Sequence, residues 1–550
     1  MLFRSFQRSG TPSFQDVRGR WNLRHMQRFL PDDEEHQFED MKLQIENAYF
    51  SDRYFLEEYY KRLHDVGMDQ ETLAYGQWQK NNWAMSLQAE ANLMDFRTDT
   101  QWLPKFDYYR MGDTLLGDRL VYSSHSGVDY ANTHTDVMVN NHDLFPLKIG
   151  SPDLAFIPFD PISNTSGVFS AGRGFTDHEL RLPLNIFDVV RIDPYVQGQL
   201  TGWSNQIGGG GRFNQMPRND FVGRVWGAAG VHMEATMWKI YSGVDSEWLN
   251  VHGLNNKVSF FGDFRTAYSN QKLNSLAIQD DLDDDTYEMV RRYFAITLWN
   301  NGILPDGYDP RHLILRRALS PISGPNDVQA SIETFNFGVH QRLQTKRGPE
   351  GKRRIVDWMT LDASTTYFPY AARDNMDKPW GQTMYNYQWF LGDRTSIIST
   401  GWFDFWNLQG GTPQDNYLVG PVNPKGLNVI TTGISLSRPP RGSVFIGYSV
   451  IDSSMIRTSA LNASVNYWLS PKWYGTFSQS YDFGNRISLG SMVSFTRIGA
   501  DYLLSLGLSV DPQRGAYQAA FQVSPRLAPM LRLGSGTGTN SFDSRLAPVQ

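Results

Sequence analysis

The chain has 550 residues and a formal net charge of only −6, from 51 lysines and arginines against 57 aspartates and glutamates. A nucleic-acid-binding surface normally appears as a basic excess, so this balance predicts no nucleic-acid partner. Cysteine is absent, which excludes disulfides, thiolate metal sites and a cysteine nucleophile.

A membrane-spanning helix is also excluded, because mean hydropathy is −0.44 and the sequence contains no run of about eighteen apolar residues. A β-strand crosses a membrane with about 9–11 residues, in which lipid-facing apolar side chains alternate with polar ones that face a lumen. The average hydropathy of such a chain resembles that of a soluble protein. A transmembrane β-barrel therefore remains open.

The start of the chain, residues 1–17, is predicted to be non-native or disordered. It lacks the positively charged start, the apolar core and the small-residue cleavage site of a signal peptide. We therefore expect an amino-terminally truncated fragment whose genuine sequence begins near Phe6.

Residues 18–525 are predicted to form one all-β domain, a large antiparallel transmembrane β-barrel of about 24–26 strands with long extracellular loops. The strand number follows from dividing the length by roughly 21 residues for a strand with its loop. Residues 526–550 are predicted to be a carboxy-terminal tail.

The barrel prediction depends most on the last third, where apolar and polar residues alternate in blocks of about ten. Leu504, Leu506 and Leu508 alternate with Ser505 and Gly507, so these three leucines are predicted to face lipid. Long connections are interspersed with tight turns, as in outer-membrane barrels. The alternative, a soluble β-propeller or sandwich, has shorter strands, and a propeller repeats every ~40–50 residues, a period not seen here.

A basic run flanks the turn Gly348–Gly351. Its side chains Lys346, Arg347, Arg353 and Arg354 are candidates for contact with anionic lipid headgroups. The alternative is a solvated hairpin tip.

No motif in the sequence indicates catalysis, and we predict neither an enzyme nor a bound cofactor. The acidic clusters at 32–35 and 280–285 lack the spacing of a calcium loop, so they are interpreted as solvated loop charge. A zinc-protease His pair and a nucleophile elbow are both missing.

Several stretches resemble the lipopolysaccharide-assembly outer-membrane protein (LptD) family, also called organic solvent tolerance proteins. The resemblance is spread over most of the chain, and Asn256 stands where histidine is usual in that family. The stretches are Arg18–His25, Ile45–Tyr60, Trp102–Tyr109, Gly253–Val258 and Pro529–Gly538.

The resemblance implies a barrel of about twenty-six strands in the outer membrane of a Gram-negative-type bacterium. It also implies a lipoprotein plug, a periplasmic bridge protein and a periplasmic jellyroll for which this chain has no room. Lipopolysaccharide or a related glycolipid would pass through the lumen and leave sideways, into the outer-membrane lipids, at a seam between the first and last strands. The residues expected at that seam are Trp21, Leu23, Tyr517, Ala519, Phe521 and Val523.

Two other functional classes stay open at this point. A large outer-membrane porin or hydrophobic-solute channel would have an internal constriction and no seam. A secreted β-rich carbohydrate-active enzyme would have a compact soluble core and a pair of carboxylates about 5–9.5 Å apart.

Overall fold

The computed structural model describes most of the chain between residues 17 and 526, with two short pieces outside that range. The described residues are 2–4, 17–31, 36–52, 55–56, 70–94, 99–134, 168–186, 189–208, 216–218, 220–271, 276, 329–375, 378–405, 426–452, 457–484, 486–512, 516–526 and 533–535.

Antiparallel β-strands make up almost all of this part of the chain. The first half contains β1 (Leu2–Arg4), β2 (Val17–Arg28), β3 (Glu39–Phe50), β4 (Thr72–Lys80), β5 (Trp83–Glu90), β6 (Asp99–Leu115), β7 (Leu120–His134), β8 (Val168–Arg181), β9 (Leu184–Ile186), β10 (Val190–Trp203), β11 (Gln206–Gly208), β12 (Met216–Arg218), β13 (Val222–Ser246) and β14 (Val251–Ser269).

The second half adds twelve strands and a four-residue helix, α1 (Ala371–Asp374). No helix in the described ranges is long and apolar enough to cross a membrane. The strands are β15 (Ile332–Arg347), β16 (Arg354–Tyr367), β17 (Thr383–Phe390), β18 (Thr395–Asp404), β19 (Gly426–Arg438), β20 (Gly442–Asp452), β21 (Arg457–Ser470), β22 (Trp473–Asp482), β23 (Ile487–Ile498), β24 (Tyr502–Asp511), β25 (Ala516–Pro525) and β26 (Leu533–Ser535).

Twenty-four strands form one sheet in which consecutive strands pair with each other. The strands β8 and β9 lie end to end against β10, whereas β11 and β12 form a separate small hairpin. Three members of the large sheet, β1, β9 and β26, are only three residues long. The predicted all-β, antiparallel fold of about 24–26 strands is confirmed.

The connections alternate in length, which puts the tight turns at one end of the sheet and the long connections at the other. The tight turns at the short-turn end are 81–82, 116–119, 247–250, 348–353, 391–394, 439–441, 471–472 and 499–501. The connections at the long-loop end include 51–71, 135–167, 204–221, 270–331, 368–382 and 405–425. In outer-membrane barrels the short turns face the periplasm and the longer loops face the outside.

The two faces of the late strands differ in the way that the alternation predicts. Leu504, Leu506 and Leu508 are 40%, 52% and 51% exposed on the outward face of β24, whereas Leu503 and Ser505 are buried on the inward face. Lipid outside and a polar interior account for this pattern, because the backbone groups of β24 are bonded to both neighbouring strands and only the outward side chains meet hydrocarbon.

Both ends of the chain depart from the boundaries predicted for the barrel. Leu2–Arg4, in the segment predicted to be non-native or disordered, pairs with Val17–Gly19. Leu533–Ser535, in the predicted tail, pairs with Phe521–Val523. An exposed strand edge offers a row of unbonded backbone groups, which explains why short flanking segments add to each edge.

Strand length is uneven around the sheet. β13 has 25 residues and β14 has 19, whereas β22, β24 and β25 have ten each. β10 pairs with β13 only as far as Ala235, so the segment from Met237 to Asp245 extends past its neighbour at the short-turn end and is exposed on both faces.

Candidate functional site: the inner wall and the strand edges

The inward side chains of β6, β7, β8, β10, β13 and β14, here called the early wall, include three buried arginines that lie over tryptophan rings. A guanidinium ion is attracted to the face of an indole, most strongly when both are shielded from water. The same contact recurs on successive strands near the long-loop end. The pairs are Arg173 over Trp102 (5.1 Å), Arg224 over Trp203 (5.1 Å) and Arg265 over Trp226 (5.0 Å), measured from the guanidinium carbon to the ring centroid.

The three arginines differ in their other partners. Arg173 forms a buried ion pair with Asp129 on β7, with 2.9 Å between the guanidinium and the carboxylate oxygen. Arg224 donates to the side-chain oxygens of Gln199 (2.7 Å) and Thr201 (3.3 Å). Arg265 donates no hydrogen bond to any residue that the structure describes, although all three of its guanidinium nitrogens are buried.

Carboxylates and histidines form a second group further down the early wall. His125 lies 2.8 Å from Asp107 through Nε2, and its ring stacks on Tyr109 at 4.1 Å. On the next strands, the Tyr195 hydroxyl donates to Asp263 at 3.3 Å. The early wall is therefore rich in fixed charges and aromatic rings.

The inward faces of β19–β25, here called the late wall, are built from small hydroxyl side chains instead. Neighbouring strands bring these hydroxyl groups within hydrogen-bond distance of each other or of an amide. Such contacts leave most of the wall polar and uncharged, apart from Asp482 at the long-loop end of β22, which accepts a hydrogen bond from Thr458 (2.8 Å). The pairs are Thr431 with Ser449 (3.2 Å), Asn462 with Ser480 (2.6 Å), Thr476 with Ser494 (2.6 Å) and Thr496 with Ser505 (2.8 Å).

The two edges of the sheet lie at opposite ends of the sequence. Trp21–Arg28 of β2 has a ladder partner on one side only, the strand β3, and Ala516–Ala520 of β25 pairs only with β24. Among the residues that the structure describes, no backbone pairing joins the β1–β2 edge to the β25–β26 edge. At one edge Arg18 forms a buried ion pair with Asp52 (2.6 Å), which fixes the start of β2.

The six residues expected at a seam all lie on these edge strands. Trp21 and Leu23 are exposed on β2, and the Trp21 ring stacks on Tyr49 of β3 at 4.7 Å. On β25, Tyr517, Ala519 and Phe521 are exposed and Val523 is half-buried. The structure thus puts them at two edges without showing a contact between the two groups, and the seam stays a prediction.

The four residues of the basic run lie in two different environments, and the predicted headgroup contact is corrected for Arg347. Lys346, Arg353 and Arg354 are exposed at the short-turn end. Arg347 is only 5% exposed and donates to the backbone carbonyls of Asn250 (3.2 Å) and Phe390 (2.6 Å). Its guanidinium group joins the β13–β14 turn to the end of β17 and does not point towards lipid headgroups.

The described ranges contain no group of three or more histidine, aspartate or glutamate side chains placed to hold a metal ion. The acidic clusters 32–35 and 280–285 lie outside the described residues.

The arginines of the early wall were missed by the sequence analysis. Arg224 and Trp226 share one face of β13, which a strict two-residue period would have shown. The signal was hidden because aromatic and charged side chains mix on that face, so that apolar and polar residues no longer separate.

An outward apolar face and an inward polar face on a large antiparallel sheet are the architecture that crosses the outer membrane of Gram-negative-type bacteria. The exposed leucines of β24 and the paired hydroxyls of the late wall show both faces in one part of the sheet. The protein is an outer-membrane barrel protein.

No protein-family model matches the chain, and no curated protein matches it. Among solved structures, the siderophore receptor PirA from Acinetobacter baumannii has a TM-score of 0.34 and 8% identity, over 92% of this chain and 74% of that one. The copper transporter OprC has a TM-score of 0.32 and 11% identity, over 92% and 71%. A Rh. blastica porin mutant has a TM-score of 0.22 and 9% identity, over 68% and 93%. Likenesses of this size say nothing about what this chain carries.

Proposed function

We propose that the protein is an outer-membrane translocon that inserts lipopolysaccharide or a related glycolipid into the outer leaflet. The sugar portion passes through the polar lumen, and the lipid portion leaves sideways between the edge strands β2 and β25. A lipoprotein that plugs the barrel and a periplasmic bridge protein that delivers the glycolipid complete the proposed machine. The proposal rests on the resemblance in the sequence together with one structural observation, the edges of the sheet.

That observation is the contrast between these two edges and every other strand pair of the sheet. β24 and β25 share ten paired positions, and β2 and β3 share nine. On their other sides, β2 and β25 pair only with the three-residue strands β1 and β26. In hydrocarbon an unbonded backbone group costs several kcal/mol, so a barrel closes fully unless something must pass sideways.

The end of β25 supports the same idea. Pro525 occupies the last position of the strand, at the short-turn end, and a proline has no N–H to give to a partner strand. Any pairing across the seam therefore ends before this residue. A short pairing is easier to open than a full-length one because fewer backbone bonds break.

Locking the seam tests the proposal, and the absence of cysteine from the chain makes the experiment clean. Single cysteines at Trp21 or Leu23 are combined with single cysteines at Tyr517, Ala519 or Phe521 in the full-length protein. The pair that oxidises most completely is carried forward. We expect oxidation to stop glycolipid from reaching the cell surface and a reductant to restore it.

A matched control is the double variant Ile446→Cys, Ala463→Cys. These positions face each other across the continuous β20–β21 ladder, so a disulfide there leaves the seam between β2 and β25 unchanged. Normal glycolipid export with the seam fully oxidised would contradict lateral release. If uptake of small solutes then depended on the barrel, the porin or hydrophobic-solute channel would be the better assignment.

A further inference from the structure

The guanidinium group of Arg265 is the least satisfied polar group in the described part of the chain. The residue is 1% exposed, and Nε, Nη1 and Nη2 are all buried without a hydrogen-bond partner. It forms no ion pair with any residue that the structure describes. A buried, unpartnered cation is costly, so a position of this kind needs a physical reason.

The neighbours of Arg265 explain how the side chain is held. Tyr195, Gly230 and Arg265 form one row across β10, β13 and β14. The Tyr195 ring occupies the space above Gly230, where an added Cβ atom would lie 2.4 Å from the ring. The tyrosine hydroxyl donates to Asp263. The carboxylates of Asp263, Asp177 and Glu179 act on the Arg265 charge through space, without a hydrogen bond or a close ion pair to it.

The opposite side of Arg265 is apolar. Ala228 and Ala267 form the next row towards the long-loop end, and with Trp226, Ile332 and Phe368 they make a buried cluster. The Trp226 indole covers one face of the guanidinium at 5.0 Å. One face of the guanidinium group is thus stacked on the indole, while its N–H groups have no acceptor among the described residues.

We infer that Arg265 is the recognition point for a phosphate group that passes through the lumen of the barrel. A planar guanidinium whose N–H groups are all available matches two oxygens of a phosphate in a bidentate arrangement, and charge-assisted bonds of this kind are strongest out of water. The phosphate oxygens accept the hydrogen bonds that no described group of the protein accepts. Stacking on Trp226 fixes the plane of the guanidinium group.

The position of the site fits the movement of a phosphorylated glycolipid. Arg265 lies four residues from Ser269 at the long-loop end of β14, the end that faces the outside in outer-membrane barrels. Phe368 and Ala371, from the connection between β16 and β17, pack on the Trp226 cluster and cover it from that end. Only the glycolipid source of the phosphate rests on the proposed function.

The experiment compares Arg265→Met with wild type, using the whole chain folded in detergent and unfolded with urea. Methionine keeps most of the side-chain volume and removes the charge. In buffer without phosphate we expect the midpoint of Arg265→Met to be equal to or above that of wild type, because a buried unpaired charge disappears. The control Arg173→Met, which breaks the buried pair with Asp129, should unfold at clearly lower urea.

The binding arms use inorganic phosphate, a bisphosphorylated glucosamine-disaccharide lipid and its dephosphorylated form. We expect the phosphorylated lipid to bind wild type about tenfold more tightly than the dephosphorylated one, and the difference to vanish in Arg265→Met. Stabilisation of wild type by inorganic phosphate alone would identify the site as one for free phosphate.

Two results would overturn the inference. One is phosphate-dependent binding that is the same in Arg265→Met and wild type. The other is a loss of stability in Arg265→Met as large as that in Arg173→Met, which would give the guanidinium a purely structural role. Neither result depends on export through the seam, so this inference and the proposed function fail separately.

Discussion

The early and late walls of the barrel solve the same problem in different ways. Both must cover a polar interior with side chains from every second residue of each strand. The late wall does so with uncharged hydroxyl pairs such as Thr476 with Ser494, whereas the early wall uses ion pairs and arginines stacked on tryptophan. A sugar chain can slide along the first kind of surface, and an anionic group can be held by the second.

The two walls also differ in the free energy that each of their contacts contributes to stability. A hydroxyl pair contributes modestly and can exchange one partner for another, because each hydroxyl both donates and accepts. A buried ion pair such as Arg173 with Asp129 has one good geometry and a large penalty for losing either partner. The early wall is therefore expected to be the rigid side of the barrel.

The largest expected effect breaks the early wall. Asp129→Asn removes the charge that balances Arg173 where both side chains are buried, and should lower the free energy of unfolding by about 3–5 kcal/mol. The control Asp245→Asn, at an exposed carboxylate beside His252, should change it by less than about 1 kcal/mol. Urea unfolding in detergent measures both. Similar values for the two variants would contradict the distinction between the walls.

The next effect concerns the outward face of the strands β19–β25. Leu506→Arg places a charge opposite the hydrocarbon and should cost about 2–4 kcal/mol if the residue lies near the midplane. Ser435→Arg is the control, because its side chain is half-buried on the inward face of β19 and can extend into the lumen. Folding yield into lipid vesicles and urea unfolding report the difference. Equal costs at the two positions would show that the faces are assigned wrongly.

A smaller effect tests the packing of the early wall. Gly230→Ala forces a methyl group within 2.4 Å of Tyr195 and 2.5 Å of the Phe264 carbonyl, so we expect a loss of about 1–3 kcal/mol. Gly198→Ala, on the neighbouring strand with nothing within 4 Å of the new methyl, should be close to neutral. If the first variant is as stable as the second, the row Tyr195–Gly230–Arg265 is looser than the structure shows.

The smallest effect is expected in the late wall. Ser505→Ala removes the hydroxyl partner of Thr496 at 2.8 Å and should cost about 0.5–1.5 kcal/mol. The double variant Ser505→Ala, Thr496→Val removes both partners, and a double-mutant cycle isolates the coupling between them. A coupling free energy above about 3 kcal/mol between the two hydroxyl groups would mean that contacts in the late wall are as strong as those in the early wall.

Sequence patterns predicted the late wall well and the early wall poorly, for a physical reason. In β24, Leu504, Leu506 and Leu508 face out, and small residues such as Ser505 and Gly507 face in. A period of two is therefore visible in the amino-acid sequence. In β10 the inward residues include Tyr195, Gln197 and Trp203, so the same period mixes aromatic and polar types. Fold class and strand number could be predicted because they need only the repeated strands and turns.

The candidate site could not be predicted because it depends on pairs of residues far apart in the chain. Arg173 and Asp129 are 44 positions apart and meet only through the β7–β8 register. The inward orientation of Arg347 is another example, because its partners are the carbonyl of Asn250 in a turn and that of Phe390 at the end of β17. Which basic side chain of a run faces inward is decided by the strand register, and the run itself carries no such information.

The short strands next to the proposed seam have a consequence for the bilayer itself. Ten residues of β24 or β25 span about 34 Å along the strand and, at the tilt of about 45° that is usual for such strands, about 24 Å across the membrane. That height only just matches the apolar band of about 25 Å found on outer-membrane barrels. These strands therefore have no length to spare, whereas β13 and β14, with 25 and 19 residues, reach well past the band. Any further tilt of β24 or β25 would thin the hydrocarbon layer beside them, at a cost of fractions of a kcal/mol for each ångström of mismatch, and would shorten the path of an arriving acyl chain.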